Sequence, residues 1–152
     1  MSWHARLAEL GIRLPPVSAP VAAYVPAIRS GSLVFTSGQL PFIDGGLRRT
    51  GKVGGSVDVE AASADAKVCA LNALAAIDAL VGLDSVVRIV KVVGFVASAE
   101  DFYGQPSVIN GASNLLGEIF GEAGVHARSA VGVSVLPMNS PGEVELIAEV
   151  MA

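Results

Sequence analysis

The strand predicted near the C-terminus constrains the fold more than any other segment, because its side chains favour close packing of other elements against both of its faces. Over residues 128–135 the side chains alternate between a valine-rich set and a set of small residues. The two sets are Ser129, Val131, Val133 and Val135, and Arg128, Ala130, Gly132 and Ser134. Alternation with a period of two indicates a strand, and small residues let another element approach closely. The pattern places Arg128 at the rim of a covered crevice.

An arginine at such a rim suits a small ligand that carries a carboxylate. The guanidinium group is always charged, and its planar fork donates two parallel hydrogen bonds to a carboxylate. The alternative is a surface arginine paired with a neighbouring aspartate or glutamate. The segment by itself leaves both interpretations open.

The rest of the pattern predicts a single α+β domain over residues 1–152, in which residues 1–20 are an N-terminal lead-in. Ser56 or Asp58 can cap the long helix, and Gly82 can end it. Helices are predicted over residues 3–10, 57–81 and 106–120, a loop over 41–55, and strands over 21–28, 32–37, 86–97, 128–136 and 143–150. This order predicts a mixed sheet with two helices on one face.

The expected packing also predicts an oligomer. The chain is rich in glycine and alanine, and one face of the predicted sheet carries no helix. The small-residue face formed by Ala130, Gly132 and Ser134 needs a close partner, and a second copy of the chain is the natural candidate. We therefore expect self-association.

Composition weighs against several classes of function. The net charge is −4 and Arg48-Arg49 is the only adjacent pair of basic residues, so we expect no nucleic-acid binding. No apolar run reaches the ~18 residues of a membrane span, and we expect a cytoplasmic protein with no membrane partner. Cys69, the single cysteine, is interpreted as a buried hydrophobic residue. His4 and His126 lack the spacing of a metal site.

Two separated motifs resemble those of a known family. Residues 127–131 (Ala-Arg-Ser-Ala-Val), Leu136-Pro137 and residues 143–148 (Glu-Val-Glu-Leu-Ile-Ala) are similar to the closing signature of the RidA/YjgF family. Residues 37–41 (Ser-Gly-Gln-Leu-Pro) resemble its other signature, and Tyr24 lies at the expected distance before it. The family comprises reactive-intermediate deaminases, often labelled endoribonuclease L-PSP. The resemblance extends from about residue 20 to the C-terminus.

The resemblance implies a chorismate-mutase-like fold assembled as a homotrimer, and an activity that needs no cofactor and no metal. It implies that Arg128 binds the substrate carboxylate and that Glu143 positions water. The other residues that it implies for the substrate site are Tyr24, Ser37, Gly38, Asn110 and Ala130, the last through its backbone carbonyl.

Three departures from the family pattern concern the same region. Ala130 stands where the family often has cysteine, which removes thiol chemistry at that position. His126 stands where the family usually has proline, and residues 103–106 lengthen the loop before the third helix. These departures bear on substrate choice.

The sequence therefore predicts hydrolytic deamination of short 2-imino or enamine acids, such as 2-iminobutanoate or 2-iminopropanoate, to 2-keto acids and ammonia. A non-catalytic binder or sensor of small carboxylates is the alternative. A ribonuclease is disfavoured, since the sequence shows neither a basic groove nor two histidines at one plausible site.

The predicted strands also indicate how far apart Arg128 and Glu143 lie within one chain. If the strand over residues 128–136 runs unbroken to the turn before Glu143, Arg128 lies eight residues from that turn. At ~3.3 Å per residue this puts Arg128 roughly 25 Å from Glu143, at the opposite end of the sheet. We therefore expect each site to be shared between two subunits of the homotrimer.

Overall fold

The α-helices and strands follow the predicted order, with one addition. The computed structural model describes residues 2–17 and 23–152. The helices are α1 (Trp3–Glu9), α2 (Val59–Val81) and α3 (Gln105–Phe120). The strands are β1 (Ala27–Ser30), β2 (Leu33–Thr36), β3 (Phe42–Ile43), β4 (Gly46–Leu47), β5 (Val86–Ala97), β6 (Ala127–Val133) and β7 (Gly142–Val150). The addition is the β3–β4 hairpin, which lies inside the predicted loop over residues 41–55.

Five strands form one sheet in the order β1-β2-β7-β5-β6. Strands β5 and β6 run parallel, and the other neighbours run antiparallel. Helices α2 and α3 cover one face, where Val92 and Leu146 of the sheet join Leu74 and Ile109 of the helices in a single buried core. The mixed sheet with two helices on one face is thus confirmed.

The helix ends follow from local sequence. Asp58, one of the two predicted caps, accepts a hydrogen bond from the backbone N–H of Ala61 at 2.8 Å and so begins α2. Gly82 ends α2 with a φ of 79°, and Gly121 ends α3 with a φ of 58°. Because a positive φ strains most side chains, glycine is favoured at both positions. Pro106 lies in the first turn of α3, where its missing N–H has no helical partner to lose.

The first strand differs from the prediction. It was expected over residues 21–28, but β1 begins at Ala27, directly after Pro26, and residues 23–26 are not in a strand. Residues 21 and 22 lie outside the described part of the chain. The turn is also shifted: Ser30 pairs with Leu33, so the hairpin turns at Gly31 and Ser32. Gly31 has a φ of 61°, as a two-residue hairpin turn requires.

Strand β6 is shorter than predicted and lies at the edge of the sheet. It was expected over residues 128–136, but it ends at Val133, opposite Ala97. Because β5 also ends at Ala97, the following residues have no strand to pair with. A tight turn follows, in which Met138 and Asn139 both take positive φ values, 58° and 57°.

The two faces of β6 have different neighbours from those expected. The small-residue face points toward α3 of the same chain: a Cβ atom on Gly132 would meet the side-chain amide of Gln105, and Ala130 packs against the core. Ala130 is therefore covered within its own chain, whereas Gly132 and Ser134 are exposed, so cover of this face by a second subunit stays a prediction. The uncovered face is the valine-rich one, where Val131 is 43% exposed.

The sheet face opposite the helices carries apolar side chains across several strands. Ile28 of β1 is 59% exposed and Phe35 of β2 is 38% exposed, and the two are paired with each other. Together with Val131 they form an apolar face of a kind usually covered by a partner. We call this surface the open face.

The N-terminal helix is an integral part of this fold. The ring of Trp3 meets that of Phe120 edge to face at 4.9 Å, its indole N–H donates to the carbonyl of Val86 at 2.8 Å, and Leu7 belongs to the main core. Cys69 is fully buried on α2, as predicted. Within the described residues, no helix combines the length and apolar character needed to cross a membrane.

Candidate functional site

Arg128 lies against α3, on the helix-covered side of the sheet. Its neighbour in β5 is the buried Val92, and side chains that are paired across neighbouring strands point to the same face. The Nη1 atom donates to Oδ1 of Asn110 at 2.8 Å and to Oγ of Ser113 at 3.3 Å. Asn110 and Ser113 are three residues apart on α3 and so share one helix face. We call Arg128, Asn110, Ser113 and His126 the arginine cluster.

His126 completes the arginine cluster. It lies two residues before Arg128 on the approach to β6, which favours the same side of the strand. Its Nε2 atom is 2.9 Å from Oγ of Ser113, and its Nδ1 atom is 2.6 Å from the carbonyl oxygen of Gly124. The imidazole is therefore bonded at both nitrogens.

The charge of Arg128 has no acidic partner among the described residues. The ion pairs found in the described part of the chain join acidic side chains to His4, Arg6, Arg48 and Arg49. Both partners of Nη1 are neutral oxygens, and neither Nε nor Nη2 makes a hydrogen bond to a described residue. The alternative of a surface arginine paired with an aspartate or glutamate is therefore not seen among the described residues.

Glu143 lies in a second group of predicted residues, at the start of β7. Its carboxylate packs against Gly38, where a Cβ atom would stand 2.9 Å from the Cδ atom of Glu143. Burial raises the pKa of Glu143 above its usual value, and the nearby charge of Glu145 adds to that effect. A half-buried carboxylate with a raised pKa can hold water and exchange protons nearer neutral pH. We call Glu143 and its neighbours Gly38 and Ser37 the glutamate cluster.

Ser37 anchors the segment that carries Tyr24. The hydroxyl of Ser37 donates to the carbonyl of Val25 at 2.6 Å, and its backbone N–H donates to the carbonyl of Pro26 at 2.8 Å. Because its proton is used in this bond, the hydroxyl can offer a ligand only its lone pairs. Tyr24 is 55% exposed and lies directly before the anchored residues.

Within one chain the two clusters lie on opposite faces of the sheet. Arg128 is level with Val92 and points toward the helices, whereas Glu143 is level with Phe95 and Val131 and points to the open face. The expected separation of roughly 25 Å is wrong, because β6 ends early and the register sets the two residues only three positions apart along the strands. Two strand spacings and three residues place their Cα atoms roughly 14 Å apart. The sheet itself lies between their side chains.

Two members of the arginine cluster were not predicted as site residues. Ser113 makes contact with both Arg128 and His126 and was not among the predicted site residues. The signal was available: Ser113 follows Asn110 by three residues in a predicted helix, and His126 precedes Arg128 by two residues near a predicted strand. Ala130 lies two residues beyond Arg128, level with Gly94, and its half-buried side chain faces the core.

Arg48 and Arg49 form a separate cluster around Asp65 of α2. Their guanidinium groups lie 3.0 and 2.6 Å from one carboxylate oxygen of Asp65, whose side chain is buried. The adjacent pair of basic residues therefore stabilises a buried charge in its own chain. Among the described residues, no group of three or more His, Cys, Asp or Glu side chains is arranged to hold a metal ion.

Comparison with known proteins agrees with these features. The model of the family described as YjgF/chorismate mutase-like, putative endoribonuclease matches residues 4–150. Protein TCP17 from Trypanosoma cruzi is 44% identical over 147 residues, which cover 95% of this chain and 92% of that protein.

Two solved structures extend the comparison. The protein Atu1372 from Agrobacterium tumefaciens, of unknown function, is 45% identical with a TM-score of 0.90, and the match covers 98% of this chain and 92% of that one. E. coli TdcF with bound serine is 28% identical with a TM-score of 0.62, and the match covers 91% and 94% of the two chains. The family model matches from residue 4, well before residue 20, so nearly all of α1 lies in the matched region. The chain is a member of the YjgF/chorismate mutase-like family.

Proposed function

We propose that this protein hydrolyses short 2-imino acids, and their enamine tautomers, to 2-keto acids and ammonia. The observation that carries the proposal is the state of Arg128: its guanidinium is fixed by two neutral oxygens, and its charge has no acidic partner among the described residues. Such a group favours a carboxylate ligand. Short 2-imino acids, including 2-iminobutanoate and 2-iminopropanoate, carry that carboxylate next to the reactive carbon.

Glu143 supplies the hydrolytic half of the proposal. In its ionised form it accepts a hydrogen bond from water and orients the oxygen toward the imine carbon, together with the carbonyl of Ala130. Water adds to this carbon, the imine nitrogen takes up protons, and the carbon–nitrogen bond breaks to release ammonia and leave the keto group. The imine is already electrophilic, so holding water and substrate in place accounts for much of the rate gain, and no cofactor is needed.

A site built in this way takes Arg128 from one subunit and Glu143 from another. The two side chains of one chain lie on opposite faces of the sheet, so they cannot meet on one small substrate. The open face and the unpaired edge of β6 offer a second copy an apolar surface beside the arginine cluster. A closed three-fold ring repeats this contact three times, and we propose the homotrimer as the functional unit.

The test is complementation between two variants that each lose most of their activity. Arg128→Ala and Glu143→Ala chains are unfolded together and reassembled, and keto-acid release is followed with imine made by an amino-acid dehydratase. Each mixed trimer contains one interface where an intact Arg128 meets an intact Glu143, so activity should return. Reassembly of each variant alone is the control. Mixed trimers, verified by mass, that are no more active than either variant reassembled alone would contradict the shared site. A monomeric mass for the wild type would contradict the assembly.

A non-catalytic binder of small carboxylates is the second candidate. The similar structure of E. coli TdcF has serine bound, and this supports binding of a small molecule that carries a carboxylate. Both candidates predict binding through Arg128, and only turnover separates them. Tight binding of 2-oxobutanoate without any acceleration of imine hydrolysis would favour the binder.

The family description also names endoribonuclease activity, and the charge distribution argues against it here. The net charge is −4, and the Arg48-Arg49 pair is engaged with Asp65. The two histidines of the chain bond to separate partners, His4 to Asp78 and Asp84, and His126 to Ser113. We expect any RNA cleavage in a preparation to be unaffected by Arg128→Ala.

A further inference from the structure

We propose that Ser113 and His126 are positioning residues, which together fix the guanidinium of Arg128 with one defined edge free for the ligand. Neither residue belongs to the site that the family resemblance implies, and His126 replaces the usual proline. The geometry of the arginine cluster carries this inference. Its kinetic consequences rest on the function proposed above.

The hydrogen bonds of His126 can run in only one direction when the ring is neutral. The carbonyl oxygen of Gly124, 2.6 Å from Nδ1, can only accept, so Nδ1 carries the proton. Nε2 is then an acceptor, and the hydroxyl of Ser113 at 2.9 Å donates to it. The tautomer of the ring therefore requires the hydroxyl of Ser113 to donate its proton to His126.

Because this proton is used, Ser113 can only accept a hydrogen bond from Arg128. The hydroxyl oxygen now faces Arg128 only with its lone pairs, and Nη1 donates to it at 3.3 Å. The second hydrogen of Nη1 goes to Asn110 at 2.8 Å. Both hydrogens of Nη1 are thus used by neutral acceptors, and the guanidinium is held at one corner.

The opposite edge of Arg128, formed by Nε and Nη2, makes no hydrogen bond to any described residue. This edge presents the two parallel donors that a carboxylate prefers. Ser113 has no proton left to offer a ligand, whereas the amide nitrogen of Asn110 can still donate. The site therefore selects a ligand whose single carboxylate lies in the plane of the guanidinium, beside Asn110.

The tautomer can be tested without assuming any activity. Long-range proton–nitrogen NMR spectra at a pH where both imidazoles are neutral distinguish the two ring nitrogens, and a His126→Ala spectrum assigns the signals of the two histidines. We expect His126 to carry its proton on Nδ1, and this preference to weaken in Ser113→Ala. A ring with its proton on Nε2 would overturn the proposal.

The positioning role is tested by steady-state kinetics with 2-iminobutanoate. Ser113→Ala and His126→Ala should each raise KM by about three- to tenfold, as expected for the loss of one hydrogen bond, while kcat changes by less than twofold. The KM of the double variant should be no higher than that of the more impaired single variant, because both residues act through Arg128. Ser113→Thr keeps the hydroxyl and should restore KM, and Asn114→Ala, on an exposed neighbouring position of α3, is the matched control.

The outcomes separate the two proposals. An unchanged KM in Ser113→Ala, a fall in kcat alone, or fully additive effects would contradict positioning. A wild type without turnover would contradict the proposed function. The positioning role of Ser113 and His126 would then be judged from the NMR tautomer and from calorimetric binding of 2-oxobutanoate. If the wild type binds no 2-oxobutanoate either, the NMR result alone decides.

Discussion

The arginine cluster and the glutamate cluster satisfy their polar groups in opposite ways. Arg128 is tied to α3 through Asn110 and Ser113, so its position is fixed within one chain. Glu143 packs against the bare backbone of Gly38, and burial raises the pKa of its carboxyl. One half of the proposed site is preorganised by hydrogen bonds, and the other half holds a charge at an energetic disadvantage.

The difference suggests a division of labour between the two halves. A binding group works best when its geometry is set before the ligand arrives. A group that must hold water and move protons works best with a pKa shifted toward the working pH. Variants of the two clusters should therefore change different kinetic and thermodynamic quantities.

The largest effect is expected for Glu143→Gln, which removes the charge and keeps the shape. Loss of a positioned base typically lowers the rate by about 10² to 10⁴, so kcat should fall in this range with little change in KM. The pKa of Glu143 is higher in the folded than in the unfolded protein. Ionisation of Glu143 therefore lowers the stability of the fold at a pH above the folded pKa, and this loss is absent at a pH below the unfolded pKa.

The same variant should accordingly be more stable than the wild type at pH 7, with the gain disappearing as the pH falls through the pKa of Glu143. Thermal unfolding across this pH range checks the sign. A gain of stability that persists at low pH would have to come from something other than charge.

The next largest effect is expected for Arg128. A hydrogen bond to a charged group contributes about 1.5–3 kcal/mol, so Arg128→Ala should reduce kcat/KM about 10- to 150-fold while circular dichroism shows an intact fold. Arg128→Lys should recover little, because a point charge lacks the fork that meets a carboxylate. Kinetics equal to the wild type in either variant would exclude the proposed role of Arg128.

A smaller effect is expected for Gly38→Ala. Gly38 does not have a positive φ, so alanine fits the backbone, but its Cβ would displace the side chain of Glu143. We expect kcat to fall about tenfold, less than the roughly 100-fold that a 1 Å misplacement can produce, because the carboxylate can move. Gly46→Ala, where a Cβ meets no atom within 4 Å, is the matched control. Equal rates in both variants would argue against close packing of Gly38 on Glu143.

The smallest effect lies outside both clusters, at the contact between α1 and the body of the protein. His4 is 3.0 Å from Asp78 and 3.2 Å from Asp84, and its hydrogen bond to Asp84 raises its pKa. A raised folded pKa means that this contribution is complete below the unfolded value near 6.5 and is lost as the pH rises through the folded pKa. His4→Ala should therefore lower Tm slightly at pH 6 and leave it unchanged at pH 9. Activity should stay constant.

The sequence predicted most of the fold because strong local signals agreed with one another. Asp58, Gly82, Pro106 and Gly121 mark helix ends with distinct chemistry, and the three helices were found within one or two residues at each end. Strand ends were less accurate because pairing decides them. Strand β6 ends where β5 stops at Ala97, and that partner is not visible from the valine pattern.

Individual residues of the candidate site could be proposed from the sequence, but their arrangement could not. Spacing and resemblance pointed to Arg128, Glu143 and Asn110, and the structure places Asn110 on Arg128. The separation of Arg128 from Glu143 depended on the register of β6, which local pattern does not fix. Ser113 was missed because a serine in the middle of a helix has no signature until its neighbours on the sheet are known.

The buried position of Cys69 has a consequence for how the protein meets oxidants. It is the only thiol in the chain and it is fully buried. Burial raises the pKa of Cys69 well above the usual value of a thiol, and the charge of Asp65 adds to this effect. Since peroxides and alkylating reagents attack exposed thiolates, the folded protein offers them no reactive sulfhydryl group. Ala130 beside Arg128 completes this resistance, because the proposed site contains no sulfur that oxidation could convert into an acid.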